Sequence, residues 1–293
     1  MRLESTKAVM EPMYSLVSKA VFHIAPERAT ELSENVFSTG EWALKESTVN
    51  GSWFCAIPQE KTLHISPAGL ASIWSLSFVA MRLSAAAVRA RRQTHPSGAL
   101  SFSLNDDEFG QFLAFSTSLF KSDRSWPELL PRPKGDEPLS SEIGRATNLF
   151  LGATSWVVLH EIAHVHHGHE KLIPASERVR DEFQADRFAT DWVLEEARNG
   201  IQREFRVLTI SVAMLWIFLN EMTLGRDTEH PAAILRFREV AQHFHLKGRS
   251  VALEQIFYIL TPILLPEFAA PGFDTPKEAF DWLYERLGEK FAV

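Results

Sequence analysis

A chain of 293 residues with 45% hydrophobic content can bury one large core, which excludes a disordered protein. Its formal net charge of −7 argues against direct nucleic-acid binding, which calls for a basic footprint. One cysteine, Cys55, leaves neither an internal disulfide nor a cysteine zinc site and fits a reducing cytoplasm.

The N-terminal residues show no charged segment followed by a long apolar stretch and a small-residue cleavage site, so no secretory signal is expected. Residues 1–66 read as a β-containing region packed on a helical core that occupies 67–293. Trp42-Ala43-Leu44-Lys45 and Trp53-Phe54-Cys55-Ala56-Ile57 are predicted strands joined as a hairpin through Asn50-Gly51, and Thr62-Leu63-His64-Ile65 adds a third strand to this small antiparallel sheet. Such a sheet either covers the core or offers an exposed edge that binds an extended substrate backbone by strand addition.

From Ser66-Pro67 onward the apolar spacing predicts helices over 67–92, 106–121, 141–168, 177–198, 202–224, 231–246, 250–265 and 276–290. Gly225 and Thr275-Pro276 supply a stop and a start. The fold class is therefore α+β and predominantly helical. Residues 126–138 hold four prolines and Gly135 and read as a long exposed connection, a plain linker or a lid. The apolar stretch 70–88 has about the length of a membrane span but contains Arg82 and several serines, and 207–219 is shorter than the ~20 residues a span needs. Buried helices explain both, so no firm membrane span is expected, and peripheral membrane association through the first stretch stays open.

The stretch His160-Glu161-Ile162-Ala163-His164 carries the chemistry. It falls late in the helical run 141–168, whose apolar positions Ile143, Leu149, Phe150, Trp156, Val157, Leu159 and Ile162 keep mostly helical spacing. Positions i and i+4 lie about 40° apart on a helix, so both imidazoles can reach one ion from the same face, with Glu161 beside its open position. Catalytic zinc usually takes three protein ligands, so a further donor is required. The following histidines, His166, His167 and His169, do not match the metzincin pattern, which wants glycine at 167 and histidine at 170, and they read as a polar helix end. Glu182 on the next predicted helix completes a His₂Glu set, and Asp186 one turn further is placed to accept the second ring N–H of a ligating histidine. Pro231 suits the first position of a helix, which puts His230 at its entry as a donor to an oxyanion and Arg236 within reach of Asp186.

The ordered set His160-Glu161-x-x-His164, Glu182-x-x-Ala185-Asp186 and His230-Pro231 followed by Arg236 resembles the gluzincin peptidases, and more closely the phage-exclusion protease Lit family. Weaker similarity lies in Ile24-Ala25-Pro26-Glu27 and Ser125-Trp126-Pro127, so the resemblance spans roughly 22 to 236. It implies a zincin-like core with one Zn²⁺ per chain, held by His160, His164 and Glu182, with Glu161 as general base and His230 as a catalytic donor. It further implies a cytoplasmic bacterial endopeptidase that is triggered by a phage-derived peptide and cleaves a host protein such as elongation factor Tu. Two other readings stay open at this level: a zinc-binding regulatory or sensor protein without turnover, and a helical interaction protein without metal.

Overall fold

The computed structural model describes residues 4–36, 43–57, 60–93, 107–169, 174–197, 200–226 and 230–292. Two short helices, α1 (Thr6–Met10) and α2 (Tyr14–Ile24), lead through a 3₁₀ turn at Pro26–Arg28 to a single helical turn, α3 (Ala29–Glu31). Among the described residues three strands follow, β1 (Ala43–Glu46), β2 (Phe54–Ile57) and β3 (Thr62–Ile65), and then eight helices: α4 (Pro67–Gln93), α5 (Asp107–Ser118), α6 (Glu142–His166), α7 (Ala175–Leu194), α8 (Ile201–Leu224), α9 (Ala233–Gln242), α10 (Val251–Leu264) and α11 (Pro276–Lys290). The class is α+β and mainly helical. The apolar spacing predicts helices from residue 67 onward, whereas the chain already turns helical at Thr6, where Ser5 caps the first turn by accepting from Ala8 N. Val17, Ala20, Val21 and Ile24 then form the apolar stripe of α2.

The sheet differs from the expected antiparallel one. Its order is β1-β3-β2, with β1 parallel and β2 antiparallel to β3, so the hairpin joins β2 to β3. Asn50-Gly51 does not close a turn between β1 and β2, because its polar groups are used at long range. Asn50 Oδ1 accepts from Asp123 N at 2.7 Å, and Ser52 N donates to Leu119 O at 2.8 Å. That pins the crossing segment onto the end of α5. Trp42, the first residue of the predicted strand, lies outside the described residues.

Helix α6 sits at the centre, against α2, α4, α7, α8 and β2. Ser141 caps its start by accepting from Gly144 N at 2.9 Å. Its middle is buried nearly all round, from Ala153 through Trp156, Val158 and Leu159 to Ile162. At Gly152 α8 comes close, since a methyl group there would overlap the side chain of Thr209. Gly152→Val is therefore expected to destabilise the fold by about 1–3 kcal/mol despite better helix propensity. A lower midpoint in urea with an unchanged m-value would register it.

Among the described residues, two helices, Pro67–Ala90 and Ile201–Leu224, have the length and hydropathy to cross a membrane, but 72% and 56% of their most apolar windows are buried in the fold. Core packing accounts for that composition. The connection 126–138 is less exposed than its prolines suggest. Trp126 is buried, donates from Nε1 to Leu130 O at 2.9 Å, and packs against Trp74 and Phe115. Glu27 of the weakly similar N-terminal segment grips the buried Arg206 of α8 with both carboxylate oxygens, which ties the N-terminal helices to the core.

A histidine and carboxylate cluster beside an aromatic cleft

Helix periodicity puts His160 and His164 on one face of α6, and α7 packs along that face. Their Nε2 atoms lie 3.1 Å apart. Glu182 of α7 brings Oε2 to 3.4 Å from His160 Nε2 and Oε1 to 3.3 Å from His164 Nε2. Among the described residues these three form a group of donors that could hold a metal ion. A tetrahedral ion with ligands at 2.0–2.1 Å has donor atoms about 3.3 Å apart, close to these separations. Glu182 Oε2 is also buried and receives no hydrogen bond, as a lone pair directed at a cation would be.

A buried scaffold stands behind the cluster. His160 Nδ1 lies 2.9 Å from Asp186 Oδ1, and Arg236 of α9 forks onto Asp186 with Nε and Nη2 at 2.8 and 2.7 Å. Arg236 Nη1 also comes to 3.6 Å from Glu182 Oε2. Burial opposes charge on His160, but Glu182 and Asp186 outweigh it and push its pKa up to about 10 in the metal-free state. Burial likewise opposes ionisation of Glu182, yet His160, His164 and Arg236 hold its carboxyl well below the usual range. Asp186 is held low against its burial by Arg236 and His160.

Glu161 is not among the three donors. Its Oε2 accepts from Ala56 N of β2 at 3.0 Å, so the outer edge of the sheet lies against the motif helix. His230 stands half exposed with Nε2 3.8 Å from Glu182 Oε1. It is three residues ahead of α9, which begins at Ala233 with its N–H donated to Glu221 Oε2 at 2.6 Å, so Pro231 does not start that helix. The three sequence segments that carry His160, Glu182 and His230 thus converge, with Asp186 and Arg236 beneath them.

Two features escaped the sequence. One is a cleft of about 250 Å³ in front of His160 and Glu161, walled by Trp53, Phe54, Trp156 and Trp216. Trp216 is fixed by donating from Nε1 to Ser72 Oγ at 3.0 Å and by an edge contact with Phe54. The other is His169, which had read as part of a polar helix end. His166 and His167 are exposed, but the His169 ring is nearly buried, with Nδ1 2.9 Å from His164 Nδ1. A glycine followed by a histidine just past the helix was the available signal.

Comparison with known proteins places this chain in a family. The model of the family described as Peptidase U49 matches residues 63–256, which include every residue of the cluster. A protein of Escherichia coli (strain K12) described as "Cell death peptidase" is 32% identical over 115 residues, a stretch covering 38% of this chain and 38% of that protein. No solved structure matches. The family match extends over well more than half of the chain, and the chain belongs to the peptidase U49 family.

Proposed function

We propose that the chain is a zinc-dependent endopeptidase that acts in the cytoplasm in cell death on phage infection, with a host protein such as elongation factor Tu as substrate and a phage-derived peptide as trigger. The observation that carries the enzymatic part is the tetrahedral spacing of His160, His164 and Glu182 with Glu161 beside them, in a chain of a peptidase family. The named substrate and trigger rest on the resemblance to Lit alone. Two imidazoles and a carboxylate form the donor set of catalytic zinc in the thermolysin class. The same set without an open position would suit a brace, but Glu161 and an aromatic cleft adjoin it here.

When bound, zinc polarises the scissile carbonyl and lowers the pKa of the attacking water. Glu161 takes the proton from that water and delivers it to the departing amine nitrogen. Its hydrogen bond to Ala56 N fixes the carboxylate between the cluster and β2. The outer edge of β2 runs beside the motif and, beyond the Ala56 N–H held by Glu161, is the edge along which an extended substrate backbone would add as a strand. His230, half exposed and with Nε2 3.8 Å from Glu182 Oε1, supplies a donor to the developing oxyanion. Asp186 and Arg236 hold His160 in register.

Metal binding is coupled to a proton. A ligating imidazole must be neutral, and His160 carries its proton up to about pH 10 in the metal-free protein. Zinc uptake at pH 7 is expected to release about one proton from His160, and the apparent affinity to rise about tenfold per pH unit between 7 and 9. The stability that His160 lends to the metal-free fold has the opposite course, full below the unfolded value near 6.5 and lost toward 10. Calorimetric titration in buffers of different ionisation enthalpy counts the proton, and a pH-independent affinity would contradict the assignment. The enzymatic reading itself is tested by a proteome-wide search for new termini on expression, wild type against Glu161→Gln.

A further inference from the structure

The end of α6 folds one more histidine onto the cluster by a backbone device. Gly168 adopts the left-handed conformation at φ +67°, Gly168 N donates to Val165 O at 3.1 Å, and His169 N donates to His164 O at 2.8 Å. These are the two bonds of a Schellman stop, which always brings the residue after the glycine back over the residue five positions earlier. Here that pair is His169 over His164. The contact usually made there by two apolar side chains is made by two imidazoles, Nδ1 to Nδ1 at 2.9 Å.

The direction of the protons follows from the ends of the chain of contacts. His164 Nε2 faces Glu182 and His160, so as a ligand it must present a lone pair there and carry its proton on Nδ1. His169 Nδ1 must then accept, which leaves the proton of His169 on Nε2. That atom lies 3.3 Å from Gln184 Oε1, an oxygen that can only accept, and 4.0 Å from the Asp181 carboxylate. Every hydrogen bond in the series His164, His169, Gln184 is satisfied by one tautomer assignment, and the opposite assignment of His169 would set two donors against each other.

We propose that His169 is a positioning residue for His164. It fixes the tautomer and ring angle of the second zinc ligand, as Asp186 does for the first, and Gln184 and Asp181 in turn fix His169. This rests on the zinc reading above and assigns a role to the part of the histidine tail that the ligand set leaves unused. Both supports of the ligand pair then come from local sequence: Asp186 one turn after Glu182, and His169 through the glycine stop of the ligand helix itself.

The test is zinc affinity of the full chain, measured by competition with a chromophoric chelator, together with the ring-nitrogen NMR shifts of the zinc-loaded protein. His169→Ala is expected to weaken zinc about 10- to 100-fold. His169→Gln, whose amide oxygen can still accept from His164 Nδ1, is expected to recover most of that loss. Gly168→Ala, which strains the left-handed residue without touching either ring, should weaken zinc in the same direction. The NMR spectrum should show His164 protonated on Nδ1 and His169 on Nε2. Wild-type affinity in His169→Ala, equal losses in the Ala and Gln variants, or a proton on His169 Nδ1 would overturn the proposal while leaving the zinc reading intact. Failure of the wild-type chain to bind zinc would overturn both.

Discussion

Glu161→Gln is expected to cut peptide cleavage by about 10²–10⁴-fold while leaving zinc affinity within a few-fold of wild type. The two side chains have the same shape, and Gln can still accept from Ala56 N through its amide oxygen, so the placement of the residue between β2 and the cluster is kept. What disappears is a group able to take a proton from water and hand it to a leaving amine. Because Glu161 is not one of the three donor residues, the metal should be retained. Glu182→Ala is the matched opposite: it removes one of three donors, and the purified protein should lose its zinc along with its activity. Mass spectrometry of new protein termini in cells expressing each variant, with elemental analysis of the purified chains, reads both. Full proteolysis by Glu161→Gln, or unchanged zinc in Glu182→Ala, would sink these assignments.

The parts of this site that could be read from the sequence are those governed by local periodicity. Positions 160, 161 and 164 fall on adjoining faces of one helix whatever the rest of the chain does, and 182 and 186 share a face of the next. Capping chemistry also marks ends well, as at Thr275 with Pro276 and at the positive-φ stop Gly225. Long-range choices were hidden. Asn50-Gly51 is a sound hairpin signal locally, but its side chain is satisfied by Asp123 N, a partner that no spacing rule reveals. The N-terminal helices carry a helical stripe at Val17, Ala20, Val21 and Ile24, but the strand signals that follow are the stronger local pattern in that region. The cleft walls come from Phe54, Trp156 and Trp216, on β2, α6 and α8, and each alone reads as ordinary core. His169 is hidden for a different reason, since a histidine after a helix looks like a solvated end unless the glycine before it folds the chain back.

Arg236→Met is expected to destabilise the metal-free protein by about 3–5 kcal/mol, the usual cost of leaving a buried charge without its partner. At about 2–4 °C per kcal/mol for domains of comparable size, that is a fall in Tm on the order of 10 °C. The guanidinium is buried against Asp186, which has no exposed surface, and it also approaches Glu182. Without it, Asp186 is left facing His160, and Glu182 keeps only the histidines around it. Arg236→Lys should not rescue, since an ammonium cannot reproduce the two-pronged contact. The double variant Arg236→Met with Asp186→Leu should regain most of the stability, because an apolar pair of similar volume replaces the ion pair, yet it should still bind zinc weakly, having lost the carboxylate that orients His160. The pH response distinguishes this from simple loss of packing. In the wild type, burial works against ionised Asp186 but Arg236 and His160 hold its pKa down, so acidification through that lowered value removes stability. In Arg236→Met burial gains the upper hand, the carboxyl titrates higher, and mild acidification should recover part of the lost stability instead. Thermal melts of both variants across the acidic range carry the test, and a wild-type pH slope in Arg236→Met would rule out the buried ion pair as the source of the loss.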